Sequence, residues 1–366
     1  MRLFMIVALF LLNLNAGMAA EIETSVGKIN VQRVLGGLSE PWGLAFLPDG
    51  SFFITERDGR LIYTSADGKV SQISGTPNVQ ASGQGGLLDV MVPRDFAQSR
   101  QIFLSFAKKQ GRGAGTALAV ATFSQSSLKL TNVQIIFEMS LGSTGGKHFG
   151  SRIVEARGGS LFLTIGERGE RPAAQNLTRH NGSIIHINKD GSVPAGNPFI
   201  GQPQILPEIW SYGHRNPQGA ALDLKGDLWV NEHGARGGDE INRIKPGANY
   251  GWPIIAYGRH YSGAKIGEGT QKPGMEQPAH FWDPSIAPSG LMIYSGKLWP
   301  KWRGSFFTGS LKFDYLSRLD PGAGWSEEAI KSAQTSRVRD VREAPDGSIW
   351  FLSVGEGAVF RITPSN

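Results

Sequence analysis

One pattern recurs six times along this chain and limits what it can fold into. Each copy has a glycine-containing approach, an apolar run, a Gly or Asp-Gly turn and a second apolar run. The copies begin at Pro41-Trp42-Gly43, Gln84-Gly85-Gly86, His148-Phe149-Gly150, Asn216-Pro217-Gln218, Pro288-Ser289-Gly290 and Arg339-Asp340. Runs rich in β-branched and aromatic residues, punctuated by such turns, read as antiparallel hairpins. No long segment carries a 3.6-residue apolar period, so helices are not the framework. Six units spaced irregularly, about 40 to 80 residues apart, predict an all-β six-bladed β-propeller. The segment from Glu23 to Leu38 is expected to supply the outer strand of the last blade. The Gly-rich stretch from Ala256 to Trp282 is expected to form a long loop over one face.

The chain has 366 residues, enough for one large all-β domain. Residues 1–20 carry a basic start at Arg2, an apolar run from Phe4 to Leu12 and small residues at Gly17, Ala19 and Ala20. That is the form of a secretory signal peptide, too short and too interrupted to span a membrane. Residues 21–366 are then the mature propeller, expected in a bacterial periplasm without stable membrane insertion, with a retained N-terminal anchor as the alternative. There are no cysteines, so the fold is held by packing rather than disulfides, and thiol nucleophiles and Cys-ligated metals are excluded. The formal net charge of +6 is scattered along the sequence. No Lys/Arg block or aromatic-interleaved basic helix appears, and nucleic acid is not an expected partner.

Rotation about a propeller axis brings equivalent positions of the six units to one ring. The residues just before each first strand are Trp42, Gln84, His148, Arg215 with Asn216, Ser289, and Arg337 with Arg339. Polar, cationic and aromatic groups converging at one channel mouth describe a small-ligand site. The densest run is Trp210 to Pro253, where Arg215-Asn216 precedes one hairpin and a Gly-rich acidic loop, Glu232 to Glu240, follows it. Such loops let backbone approach a ligand, and a neighbouring carboxylate suits a hard cation.

Six blocks occur in order: GQGGLLDV at 83–90, GGKHFGSR at 145–152, SYGHRNPQG at 211–219, EHGARGGDEIN at 232–242, NYGWP at 249–253 and RVRDV at 337–341. Together they resemble the soluble PQQ-dependent sugar dehydrogenases, specifically the aldose sugar dehydrogenase branch, over nearly the whole mature chain. The resemblance implies a six-bladed propeller that binds PQQ and Ca2+ and oxidises aldoses at C1 to lactones. It places the catalytic base at His148, with hydride passing to the quinone. It implies cofactor contacts from Gln84, Arg215, Asn216, Tyr261, Ser310, Leu311, Lys312, Arg337, Val338 and Arg339. It implies backbone carbonyl ligands for one calcium at Gly234 and Ala235, and a second, structural calcium at Glu240 and the Tyr250 carbonyl. The electron acceptor, a quinone or a cytochrome, and the choice between monomer and homodimer are left open.

Taken singly, each residue has a plainer reading. A lone His in a Gly-flanked turn is usually structural, an Arg before Pro217 is usually solvated, and Glu240 has Arg243 within reach as a salt-bridge partner. The ring changes the balance. PQQ carries three carboxylates, which call for cationic forks and amide donors, and a His with a near-neutral pKa suits proton removal from an anomeric hydroxyl. The chain departs from the family in two places. Ala235 stands where many relatives have Pro, and Lys147 precedes His148 where the best-known glucose dehydrogenases have an acid. A mouth without their extra loops points to broad aldose use. The rival readings are a calcium-dependent lactonase or esterase propeller and a non-catalytic binding propeller. Either one would do without arginines and Lys312 around the axis.

Overall fold

A computed structural model describes residues 20–365. The expected signal peptide, residues 1–20, lies outside them except for Ala20. Six antiparallel sheets follow one another along the chain, each running from an inner strand outward. The inner strands are Pro41–Phe46, Leu87–Met91, Ile153–Glu155, Pro217–Leu222, Pro288–Ile293 and Val338–Glu343. Each packs beside the next, and the sixth returns to the first, closing a six-bladed propeller. Among the described residues no helix is long and apolar enough to cross a membrane.

The strands are apolar on both faces because each blade is pressed between two others. In the strand Phe52–Glu56, Phe53 joins the core shared with blade two, whereas Phe52 and Ile54 join the core shared with blade six. In Leu161–Thr164, Leu163 faces blade two and Phe162 faces blade four. Alternate side chains of a strand leave on opposite faces, so near-continuous apolar runs are what a doubly covered sheet requires. Six interblade cores result, one for each neighbouring pair.

Two expectations need adjustment. The N-terminal segment supplies two outer strands rather than one, Ala20–Thr24 and Gly27–Leu35, making the last blade five-stranded. Gly27–Leu35 pairs with the C-terminal strand Ala358–Pro364, in register from Ile29↔Pro364 to Leu35↔Val359. The stretch from Ala256 is a loop as expected, but it ends in His280–Trp282, the outer strand of blade four.

The inner strands enclose a buried ion network. Arg152 Nη1 donates to Asp89 Oδ1 at 2.6 Å and to Asp340 Oδ2 at 3.2 Å. Arg342 reaches the same two carboxylates, at 3.2 Å to Asp89 and 3.0 Å to Asp340. Leu44 N donates to Asp340, Ile153 N donates to Asp89, and Arg152 Nε donates to the Gln218 carbonyl. Blades one, two, three, four and six thus meet in one set of hydrogen bonds. Removing one partner would strand a buried charge, which costs about 3–5 kcal/mol. We therefore expect Asp89→Ala to lower the unfolding free energy by about that amount in denaturant titration, far more than removal of an exposed pair such as Arg33–Glu356.

Candidate functional site

A cavity of about 1180 Å³ opens at one end of the axis, and residues from all six blades line it. Of the residues singled out from sequence, Gln84, His148, Arg215, Gly234, Ala235, Tyr261, Leu311, Lys312, Arg337 and Arg339 are on its wall, with Trp42. The long loop of blade four contributes Tyr257, Arg259 and Tyr261. Blade five contributes Leu311 and Lys312 from the end of its second strand. Ser289 is buried instead, its hydroxyl donating to the Gly309 and Val338 carbonyls.

Asn216, Ser310 and Val338 stand behind the wall. Val338 is fully buried in the core between blades five and six. The Ser310 hydroxyl donates to the Ile286 carbonyl and accepts from Phe313 N. Asn216 Oδ1 accepts from Gly150 N at 3.2 Å, while its Nδ2 is buried without a partner. An orphaned buried amide donor is costly unless something meets it.

His148 is held from three directions. Its backbone lies in the left-handed region at φ 55°, a conformation that costs a non-glycine residue about 1–2 kcal/mol. Its N–H donates to Gln84 Oε1 at 2.7 Å. That contact exists because the loops of blades two and three touch: a Cβ on Gly83, at φ 60°, would lie 2.2 Å from the Gly146 carbonyl oxygen. Third, His148 Nδ1 is hydrogen-bonded to Glu167 Oε1. The carboxylate accepts, so Nδ1 carries the proton and Nε2 keeps its lone pair. Burial holds the imidazole pKa down; Glu167 opposes this, and Arg215 and Lys147 reinforce it. His233, also on the wall, is pushed down to about 3 by burial and then Arg215, and its Nε2 is occupied by the Pro288 carbonyl at 2.6 Å. His148 is thus the imidazole suited to take up a proton.

Glu167 is the partner that sequence reading did not find, although a signal was present. The second apolar run of blades one, three and four ends in a glutamate: Glu56, Glu167 and Glu232. Each turns back onto the residues leading into its own blade. Glu56 accepts from Ser39 N, and Glu232 Oε2 accepts from Arg215 N at 2.7 Å.

Of the seven cations on the wall, Arg57 pairs with Glu40 and six have no ion pair among the described residues; four of those six are cofactor contacts that the sequence implies. Arg215 is buried, lies 5.3 Å from the Trp252 ring and donates to the His233 carbonyl at 3.0 Å. Arg337 donates to the Leu311 carbonyl at 3.1 Å, and Lys312 sits 4.7 Å from the Phe313 ring. Arg339 donates to Gln218 Oε1 at 2.6 Å; burial, then Arg337 and Arg152, push it down to about 9. Arg215 and Arg339, desolvated, with Arg337 and Lys312 exposed beside them, call for an anion of several charges. A tricarboxylate such as PQQ fits that demand. Tyr261 reaches over the cavity with 73% of its surface exposed.

The two candidate calcium positions lie apart. Gly234 and Ala235 are on the cavity wall, in a loop pinned by Asp239, whose Oδ1 accepts from Gly234 N at 2.7 Å. Glu240 and Tyr250 are not on that wall. Glu240 faces Glu232 across adjacent strands, and Asn242 Nδ2 donates to both, at 3.0 and 3.1 Å. Burial, then Glu232, push Glu240 up to about 8. The Asn242 Oδ1 is buried without a partner. Tyr250 stacks on His214 at 4.5 Å, and His214 Nδ1 holds Glu232 at 2.8 Å. Among the described residues no group of three or more His, Cys, Asp or Glu is clustered to hold a metal. A cation beside Glu240 would therefore draw on amide and backbone oxygens as well as the two carboxylates, a donor set suited to a hard ion.

The profile of the Glucose / Sorbosone dehydrogenase family matches residues 38–361. The chain is 41% identical to the aldose sugar dehydrogenase YliI of Escherichia coli (strain K12) over 347 residues, covering 92% of this chain and 94% of that one. The crystal structure of the soluble aldose sugar dehydrogenase from Escherichia coli in the apo-form superposes with a TM-score of 0.87 at 39% identity, covering 92% and 100% of the two chains. The PQQ-bound aldose sugar dehydrogenase from Streptomyces coelicolor superposes with a TM-score of 0.77 at 26% identity, covering 94% and 99%.

The hydrogen-bond geometry gives a test that needs no turnover. By NMR the His148 imidazole should titrate below the ordinary value of 6.5, since burial dominates its environment. Glu167→Gln should move that titration lower still, because the carboxylate is what raises it.

Proposed function

The chain belongs to the Glucose / Sorbosone dehydrogenase family, and from that premise we propose that it is a periplasmic PQQ-dependent dehydrogenase oxidising aldoses at C1 to lactones. The observation that carries the reading is the set of Arg215, Lys312, Arg337 and Arg339, without an ion pair among the described residues and lining one cavity with His148. A lactonase propeller would instead gather carboxylates and amides around an axial cation. Only two acids line this cavity, and one of them, Glu40, is paired with Arg57 at 2.7 Å.

PQQ, when bound, would supply the two-electron acceptor, and Ca2+ would supply Lewis acidity. Arg215, Lys312, Arg337, Arg339 and Gln84 would hold and orient the cofactor, and the Gly234 and Ala235 carbonyls would be available to the ion. His148 Nε2 takes the proton from the anomeric hydroxyl. Glu167, on Nδ1, fixes the ring and stabilises the imidazolium that forms. Loss of that proton leaves an oxyanion whose collapse to the lactone carbonyl expels the C1 hydrogen with its electron pair. Below the depressed pKa of His148 the base is protonated, so the rate should fall only on the acid side of 6.5.

Reconstitution tests the whole reading. Purified protein supplied with PQQ and Ca2+ should bind the cofactor and reduce a redox dye with several aldoses; no uptake and no dye reduction would sink the proposal. His148→Ala should keep PQQ binding and lose about 10²–10⁴ in kcat. Calcium bound beside Glu240 should raise the thermal midpoint by roughly 5 °C or more at saturating ion. Glu240→Gln should remove most of that shift, read by scanning calorimetry with and without chelator.

A further inference from the structure

Seven Lys and Arg side chains and two carboxylates line the cavity. That is a surplus of five positive charges, in a chain whose formal net charge is +6. The rest of the molecule is close to balanced, and nearly all of the excess is focused in one concave place, where it acts most strongly on an approaching ligand. The three carboxylates of PQQ would draw on Arg215, Lys312, Arg337 and Arg339, and Arg57 is already paired with Glu40.

Arg236 and Arg259 are left over. Both are exposed, and neither is in an ion pair among the described residues. Their backbones hold them together: Arg236 N donates to Arg259 O at 2.9 Å, and Arg259 N donates to Arg236 O at 3.0 Å. Arg259 is opposed on its other side by Lys265. Directly opposed residues share a face, and like charges there are destabilising. Asp283 approaches the Gly237 backbone beside them without pairing with either arginine. Lys147, next to His148, is exposed and unpaired as well. A repulsive cationic row kept at the mouth, beyond what the cofactor neutralises, fits an anion that comes and goes.

We propose that Arg236 and Arg259 form an anion subsite at the mouth, and that the best substrates are aldoses carrying a negative group away from C1, either a carboxylate or a phosphate. The proposal rests on the dehydrogenase reading for the chemistry at C1, and on the cavity's charge alone for how the sugar is held.

The test separates the two. With PQQ and Ca2+ added, methyl β-glucuronide, which has no free anomeric hydroxyl, should bind about tenfold more tightly than methyl β-glucoside by calorimetry at low salt, and the difference should shrink as salt is raised. In turnover, glucuronate and glucose 6-phosphate should each show kcat/KM about tenfold above glucose, chiefly through KM; a gain for only one of them identifies the anion held. Arg236→Gln/Arg259→Gln should abolish the preference and leave glucose turnover unchanged. Arg259→Gln alone should weaken the preference and should not lower the thermal midpoint, since it relieves repulsion. Equal binding of glucuronide and glucoside overturns the subsite. So does a double variant that changes only the rate with an anionic dye such as ferricyanide, since the mouth would then steer the acceptor. If glucuronide binds selectively but no aldose is oxidised, the dehydrogenase reading fails and the anion subsite stands.

Discussion

Two aspartates and two arginines buried on the axis set the conditions for the rest of this molecule. Asp89, Arg152, Asp340 and Arg342 form a neutral set that also receives the backbone N–H groups of Leu44 and Ile153 and gives one donor to the Gln218 carbonyl. Burial pushes the Asp89 carboxyl up, and the two arginines oppose this. Such a cluster is weak evidence of net stabilisation, but it tolerates no missing member. It also reaches the ligand cavity. The Arg152 guanidinium lies 4.5 Å from the Trp42 ring, and Arg339 approaches the same ring at 5.9 Å. One indole therefore separates the ions that bind the blades together from those that face the ligand.

Around that axis apolar packing joins the blades, with polar contacts between neighbours such as Arg94–Glu155 and Lys189–Asp95. With no cysteines, six interblade cores do the work, and aromatic edges such as Phe46, Phe52 and Trp350 carry the seam between the first and last blades. The rigidity this provides is used at the mouth. His148 and Arg337 are both held in the left-handed region, at φ 55° and 50°. A local strain of that kind persists only where the surroundings over-determine it, here Gln84 and Glu167 around His148, and Asp314 on the N–H of Arg337.

The hairpins and their count were legible because a doubly covered strand must be apolar on both faces and a tight turn must carry Gly or Asp-Gly. The mouth was legible for the same geometric reason, since rotation places equivalent positions together. Reading failed where the repeat is imperfect. Ser289 occupies the equivalent position in blade five but is turned into the seam, and Leu311-Lys312 takes its place on the wall. Val338 sits between two arginines of the mouth, and strand alternation sends it to the core. Glu167 and the axial ions were invisible one at a time, because an Asp or Glu inside an apolar run has no mark of which distant arginine or histidine it will meet. Only the glutamates at or just beyond the ends of three second strands form a pattern that comparing the repeats exposes.

The strand Gly27–Leu35 closes the ring against Ala358–Pro364, so the contact that completes the last blade joins the two ends of the chain. It is the pairing of greatest sequence separation and of highest loop-closure entropy. Every blade lends a residue to the cavity, so its full set of side chains is in place only in the closed ring. A half-folded chain offers no half-built pocket. A ligand that fills the cavity therefore favours the closed ring over any opened form.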